Sequence, residues 1–190
     1  MKRVIFTSLS LAMLFTACKK ESISEENSVP EAIQLPNTTS AAYVSDWEGV
    51  NSSAWTSTAT NDELTYEFNK TISQVNTGVL RSGVVMAFAK GYNFADANMN
   101  KPMNLPFTFF LPYERMAFPY NWNYDKQEGS VKVGLTMKRG MQSEFLAAQN
   151  NIKMRYVVIS PAYFAQTGTD AATLSRLSYN ELMAKLNVNP

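Results

Sequence analysis

Chemistry in this chain falls to its carboxylates, because it holds no histidine and a single cysteine, Cys18. Without imidazole the usual general base is missing, and with it the Ser-His-Asp and Cys-His arrangements and histidine-bound metals. Glu63 and Glu67 fall on one face of an alternating segment, but four residues of strand separate them by about 13 Å. Paired glycosidase acids work at roughly 5 to 9.5 Å. Asp46 with Glu48, and Asp125 with Glu128, sit in loop or turn contexts where solvated carboxylates are the ordinary outcome. Two acids converging from different strands remain open, since spacing does not exclude them. Asp96-Ala97-Asn98-Met99-Asn100 begins like a calcium loop, with oxygen ligands at alternating positions. Lys101 occupies the sixth position, where glycine is required, and Phe107 the twelfth, where a bidentate glutamate belongs, so an EF-hand is excluded. An irregular calcium loop is the alternative to Asn-rich turns between strands, and the expectation is turns, with no metal and no cofactor.

The more distinctive cluster is aromatic. Phe118, Tyr120, Trp122 and Tyr124 share one strand face and Asn121, Asn123 and Asp125 the other, with Tyr113, Glu114 and Arg115 just upstream. Rings beside amide and carboxylate groups are what a sugar-binding surface needs, the rings covering C–H faces and the polar groups reading hydroxyls. Tyr113, Tyr120, Trp122 and Tyr124 are therefore the candidate ligand face. The plainer alternative is the buried stripe of a sandwich strand, where large rings bury the most area. Trp47 and Trp55 pose the same choice, whereas Met86, Met99 and Met103 read as core and loop filler.

The elements that must position these residues are mostly strands. Leu64, Tyr66 and Phe68 alternate with Glu63, Thr65, Glu67 and Asn69, and Val131, Val133, Leu135 and Met137 alternate with Ser130, Lys132, Thr136 and Lys138. The runs Gly83 to Ala89, Pro106 to Leu111 and Ile152 to Ser160 are more continuously apolar, as in strands covered on both sides. Asp125-Lys126-Gln127-Glu128-Gly129 supplies turn chemistry between Phe118 to Tyr124 and Gly129 to Lys138, which predicts a hairpin. The C-terminus differs: Ser178-Tyr179-Asn180-Glu181 is a capping box, Leu177 and Leu182 are spaced as a hydrophobic staple, and the apolar spacing predicts one short helix from Tyr179 to about Leu186. The fold class expected is mainly β, an antiparallel β-sandwich or open barrel with one short C-terminal helix.

The N-terminus carries an address. Lys2 and Arg3 precede an apolar run from Val4 to Phe15 and the small Ala17, and Phe15-Thr16-Ala17-Cys18 resembles the lipobox at which lipoproteins are cleaved and acylated, with Phe15 where a branched aliphatic residue is usual. Residues 1–17 read as a signal peptide and Cys18 as the lipidated anchor, its thiol consumed. The apolar run is too short for a hydrocarbon core that takes roughly 20 residues to cross. Residues 18–40 mix Lys, Glu, Ser and Asn with Pro30 and Pro36, a tether too polar to bury the surface that ordering requires. The globular domain is 41–190. Losing Lys2 and Arg3 takes the balance from 17 basic against 16 acidic side chains to 15 against 16. A near-neutral chain lacks the concentrated basic surface that nucleic acid requires.

The order of these pieces resembles a group of uncharacterised lipoproteins of Bacteroidota. The residues that carry it are Trp47 and Trp55, Leu64 to Phe68, Thr71 to Val79, Leu111-Pro112-Tyr113, Phe118 to Tyr124, Arg155 to Ile159 and Ser178 to Val188. The pattern departs at Leu80-Arg81-Ser82-Gly83, which lengthens a link, and at Phe109-Phe110, where a Trp is expected. The resemblance implies a β-sandwich on a lipid anchor and carries over no catalytic residue.

Two classes of function follow. One is a non-catalytic domain, tethered to the outer membrane on its periplasmic or cell-surface face, that binds a glycan or an envelope protein. The other is a carboxylate-dependent polysaccharide hydrolase. A purely architectural subunit would instead expose an apolar patch of several hundred Å². The first class is the expectation, with no enzyme activity.

Overall fold

A computed structural model describes residues 41–113 and 116–190. The signal segment, Cys18 and the tether lie outside the described residues, as do the side chains of Pro112, Tyr113 and Met116. In chain order the strands are β1 (Ala42–Val44), β2 (Glu48–Gly49), β3 (Thr56–Ala59), β4 (Glu63–Thr71), β5 (Val84–Lys90), β6 (Met103–Asn104), β7 (Phe107–Tyr113), β8 (Met116–Gln127), β9 (Ser130–Lys138) and β10 (Lys153–Ile159). The helices are α1 (Thr77–Ser82), α2 (Gln142–Ala148), α3 (Pro161–Thr167), α4 (Ala171–Ser175) and α5 (Tyr179–Lys185). Every strand pair is antiparallel, and two open sheets face each other. The first sheet runs β1-β10-β5-β6 with β2 also on β10, and the second runs β3-β4-β9-β8-β7.

The second sheet follows the period-two pattern. Leu64 and Phe68, Val131 through Met137 at every other position, and Tyr120 and Trp122 all turn inward to one core. The hairpin between β8 and β9 closes on two residues, Glu128 and Gly129, with Gln127 opposite Ser130. Gly129 has φ +76, a conformation that L side chains resist and a two-residue hairpin turn needs. Its tip is fastened from both sides: Ile72 N–H donates to the Gly129 carbonyl at 2.8 Å and Gly129 N–H donates to Val75 at 2.7 Å.

The first sheet is apolar on both faces. Val85, Ala87 and Ala89 of β5, with Met154, Tyr156 and Val158 of β10, meet the second sheet. Val84, Met86 and Phe88, with Val157 and Ile159, meet Leu174, Tyr179, Leu182, Met183 and Leu186 of the C-terminal helices. The molecule is thus a β-sandwich with a helical layer on the back of one sheet, and no barrel closes. In α5, Ser178 Oγ accepts from Glu181 N–H while the Glu181 carboxylate accepts from Ser178 N–H at 2.9 Å, which completes the capping box.

Two expectations are corrected. The C-terminal helix is one of five described α-helices, the others being too short for a 3.6-residue period to register. The continuous apolar run at 106–111 forms an edge strand, not one covered on both sides: β7 pairs only with β8, and Phe110 points outward with 60 % of its surface exposed.

Candidate functional site

The proposed ligand face is turned into the protein. Tyr120 is 0 % exposed and Trp122 1 %, and neither ring can meet a dissolved ligand while the sandwich stays closed. β8 lies between β7 and β9, and its inward rings join the core shared by the two sheets. Tyr120 stacks on Phe109 at 5.2 Å between centroids, and Trp122 stacks on Phe107 at 6.2 Å. Trp55 comes edge-on to Phe68, Trp122 and Phe145. Both tyrosine hydroxyls of the stripe are satisfied from inside, Tyr120 Oη donating to the Met141 carbonyl and Tyr124 Oη to the Val85 carbonyl, both at 2.8 Å, whereas Trp122 Nε1 is buried without a partner. Burial, and secondarily the Glu144 carboxylate, push the Tyr120 hydroxyl up to about 12. Tyr113 contributes its backbone to the β7–β8 ladder opposite Met116, and its side chain lies outside the described residues.

The opposite parity gives a different surface. Cross-strand register aligns Thr58, Thr65, Thr136, Asn121 and Thr108 in one row across all five strands of the second sheet. At a strand spacing of about 4.8 Å, such a row crosses roughly 19 Å of sheet. Thr65 and Thr136 hydroxyls hydrogen-bond at 2.9 Å, and Thr108 donates to Asn121 Oδ1 at 2.7 Å. Beside this row Lys132 pairs with Glu67 at 3.2 Å. Gly134 sits opposite Asn123, whose Oδ1 would lie 2.4 Å from a Cβ there, so the amide lies flat where a side chain would stand. Among the described helices, α3 to α5 pack on the back of the first sheet and α1 and α2 turn Val79 and Phe145 into the core, so none covers this face, whose row is exposed or half-buried among the described residues. Asn121 and Asn123 were readable as the polar side of the β8 stripe. The row itself joins β3, β4, β7 and β9 through register, for which one strand's sequence carries no signal.

No protein-family model, curated protein or solved structure matches the chain.

Five of the described acids are engaged in structural work. Glu48 forms an ion pair with Lys70, Glu67 with Lys132, and Glu128 accepts from Thr77 Oγ1 at 2.8 Å. Asp170 and Glu181 cap helices, and the hydrogen bonds they accept, from Thr173 and Ser178 respectively, hold both carboxyls below their ordinary range. That shift is opposite to the one a general acid needs. In the Asp96 to Asn100 loop, Asp96 Oδ1 accepts from Asn98 N–H at 2.9 Å and Asn93 Oδ1 from Ala95 and Asp96 N–H. The Asn100 amide donates to the carbonyls of Asn93 and Asp96. The side-chain oxygens a cation would take are already tying the loop, and among the described residues no three His, Cys, Asp or Glu gather around one point.

Proposed function

We propose that the chain is a lipid-anchored envelope protein of the Bacteroidota type, held at the outer membrane through Cys18, whose β-sandwich binds a glycan without catalysis. Its ligand face is the outer surface of the second sheet. The observation that carries this reading is the row of hydroxyl and amide groups from Thr58 to Thr108, aligned by register on a face that no described helix covers. Groups that both donate and accept, repeated along a flat surface, match the hydroxyls of an extended saccharide. Phe110 at the β7 edge offers one exposed ring to a sugar C–H face. Large exposed apolar side chains in the described residues, Met99, Phe110 and Leu146, stand on three separate elements, a distribution that favours a glycan over an apolar protein interface.

Thr136→Arg tests the reading without touching the core, because Thr136 lies at the centre of the row on the outward parity of β9. The full chain, in nonionic detergent, is applied to a glycan array beside this variant. Binding by the wild type that the variant loses supports the open face. Binding that survives the arginine, or no glycan bound by the wild type, removes the proposal.

A further inference from the structure

The back of the first sheet, at the end its helices leave uncovered, concentrates positive charge without an acid to balance it. Lys90 of β5 stands directly opposite Lys153 of β10, and Arg155 follows on the same side. Like charges in direct cross-strand register destabilise a sheet. Among the described residues neither lysine nor Arg155 has a carboxylate within ion-pair distance. The carboxylate on the neighbouring strand belongs to Glu48, which is opposite Met154 and so on the core side, where Lys70 holds it.

Arg155 sharpens the imbalance, since it is 6 % exposed. Its guanidinium donates to Tyr179 Oη at 2.5 Å and to the Asn189 carbonyl at 3.2 Å, and it lies 5.2 Å from the centre of the Trp47 ring. All of these partners are neutral, and its Nε is buried with no partner. Lys90 Nζ shares the same indole at 4.3 Å. Burial first, then the charges of Lys153 and Arg155, pull the Lys90 ammonium below its ordinary range. A buried cation with only neutral partners has no counter-charge beside it to cancel its field.

That surface is concave. A cleft of about 360 Å³ is lined by Lys90, Gly91, Asn93, Phe94, Asn151 and Lys153. Its floor depends on Gly91, at φ +78, where a Cβ would lie 2.1 Å from the Asn151 carbonyl oxygen. Asn93 uses its carbonyl oxygen on the Ala95 and Asp96 amides, which leaves its NH₂ end to donate. Lysines paired across adjacent strands have Cβ atoms about 5 Å apart, and both of these lysines line the cleft.

We propose that Lys90 and Lys153, backed by Arg155 and Trp47, form a binding site for a phosphate or sulfate group in this cleft, with Asn93 and Asn151 as neutral donors. The site is on the opposite sheet from the glycan face and stands independently of it. Lysine suits such a group as a point charge that needs no fixed bidentate geometry.

The test measures the thermal midpoint and binding isotherm of the full chain with inorganic phosphate and with sulfate, against chloride at matched ionic strength. Lys90→Gln/Lys153→Gln is the variant, and Lys126→Gln, an exposed lysine at the other end of β5, is the control. Saturable binding by wild type and control, weakened about tenfold or more in the double variant as two charge-assisted contacts are lost, is the expected result. Glycerol phosphate and glucose 6-sulfate then separate a lipid headgroup from a saccharide as the source, the tighter ester naming it. A midpoint that follows ionic strength alone, or binding unchanged in the double variant, overturns the site.

Discussion

The two sheets of this sandwich have five strands each yet have opposite fates on their outer sides. The first is closed by helices, so β5 is buried from Val84 to Ala89 without a break. The second presents a face of Thr, Asn, Lys and Glu to water while its other parity supplies the largest rings of the core. The difference teaches where recognition can reside. A strand covered on both sides has little surface left except at its ends, and the cationic cleft lies at such an end. A strand covered on one side offers its whole second parity.

The widest test of that contrast lies within one strand. Trp122→Ala should cost about 3–5 kcal/mol in urea denaturation, as expected for a large buried ring. Asn121→Ala, its outward neighbour, should cost no more than about 1 kcal/mol, the worth of its bond from Thr108. Equal costs would mean the two parities are not core and surface.

Alkaline pH should expose the core next. Burial raises the hydroxyls of Tyr120, to about 12, and of Tyr156, so the unfolded chain, whose tyrosines ionise near pH ~10, releases these protons first. The stability they contribute is complete below that value and falls as pH rises towards the folded values, by on the order of 2–3 kcal/mol for Tyr120. Tyr156 Oη is buried without a partner, so Tyr156→Phe should leave neutral-pH stability unchanged or raise it by about 1 kcal/mol, and should flatten the alkaline decline. An equally steep decline in that variant would place the ionising groups elsewhere.

The smallest expected effect, at Gly134 in β9, is set against that of Gly91, which follows the end of β5. Gly91→Ala forces a left-handed backbone and a backbone collision at Asn151, and should lose more than about 1 kcal/mol. Gly134→Ala meets only the movable end of Asn123, and should lie within about 0.5 kcal/mol of the wild type. Thermal midpoints of the two variants check the order, and a reversed order would contradict the open second face.

Much of this architecture is legible in the sequence. Val131, Val133, Leu135 and Met137 announce β9 because one face is wet, and Ser178 with Glu181 announces α5 because capping is local chemistry. The ligand face went astray for a symmetry reason. Parity places Tyr120 and Trp122 together but gives no sign of which side of the sheet faces the partner sheet. Phe109-Phe110 misled in the same way, since an edge strand with one outward ring looks like a buried run. Lys90 and Lys153 were invisible as a pair because only the β5–β10 register brings them opposite each other. The row from Thr58 to Thr108 is hidden for that reason too.

The described chain enters the fold through a short seam at the rim of one sheet. Ala41 accepts a bond from Ser160 N–H, and β1 then holds to β10 through three residue pairs, with Ser45 and Tyr156 bonded just beyond. β1 is at the rim of the first sheet and makes no pair with the second. A pull arriving at residue 41 is therefore borne first by this short ribbon, which can peel away while the five strands of the open face keep their register. In mechanical terms β1 is a fuse: it yields extension under load and spares the surface that would hold the ligand.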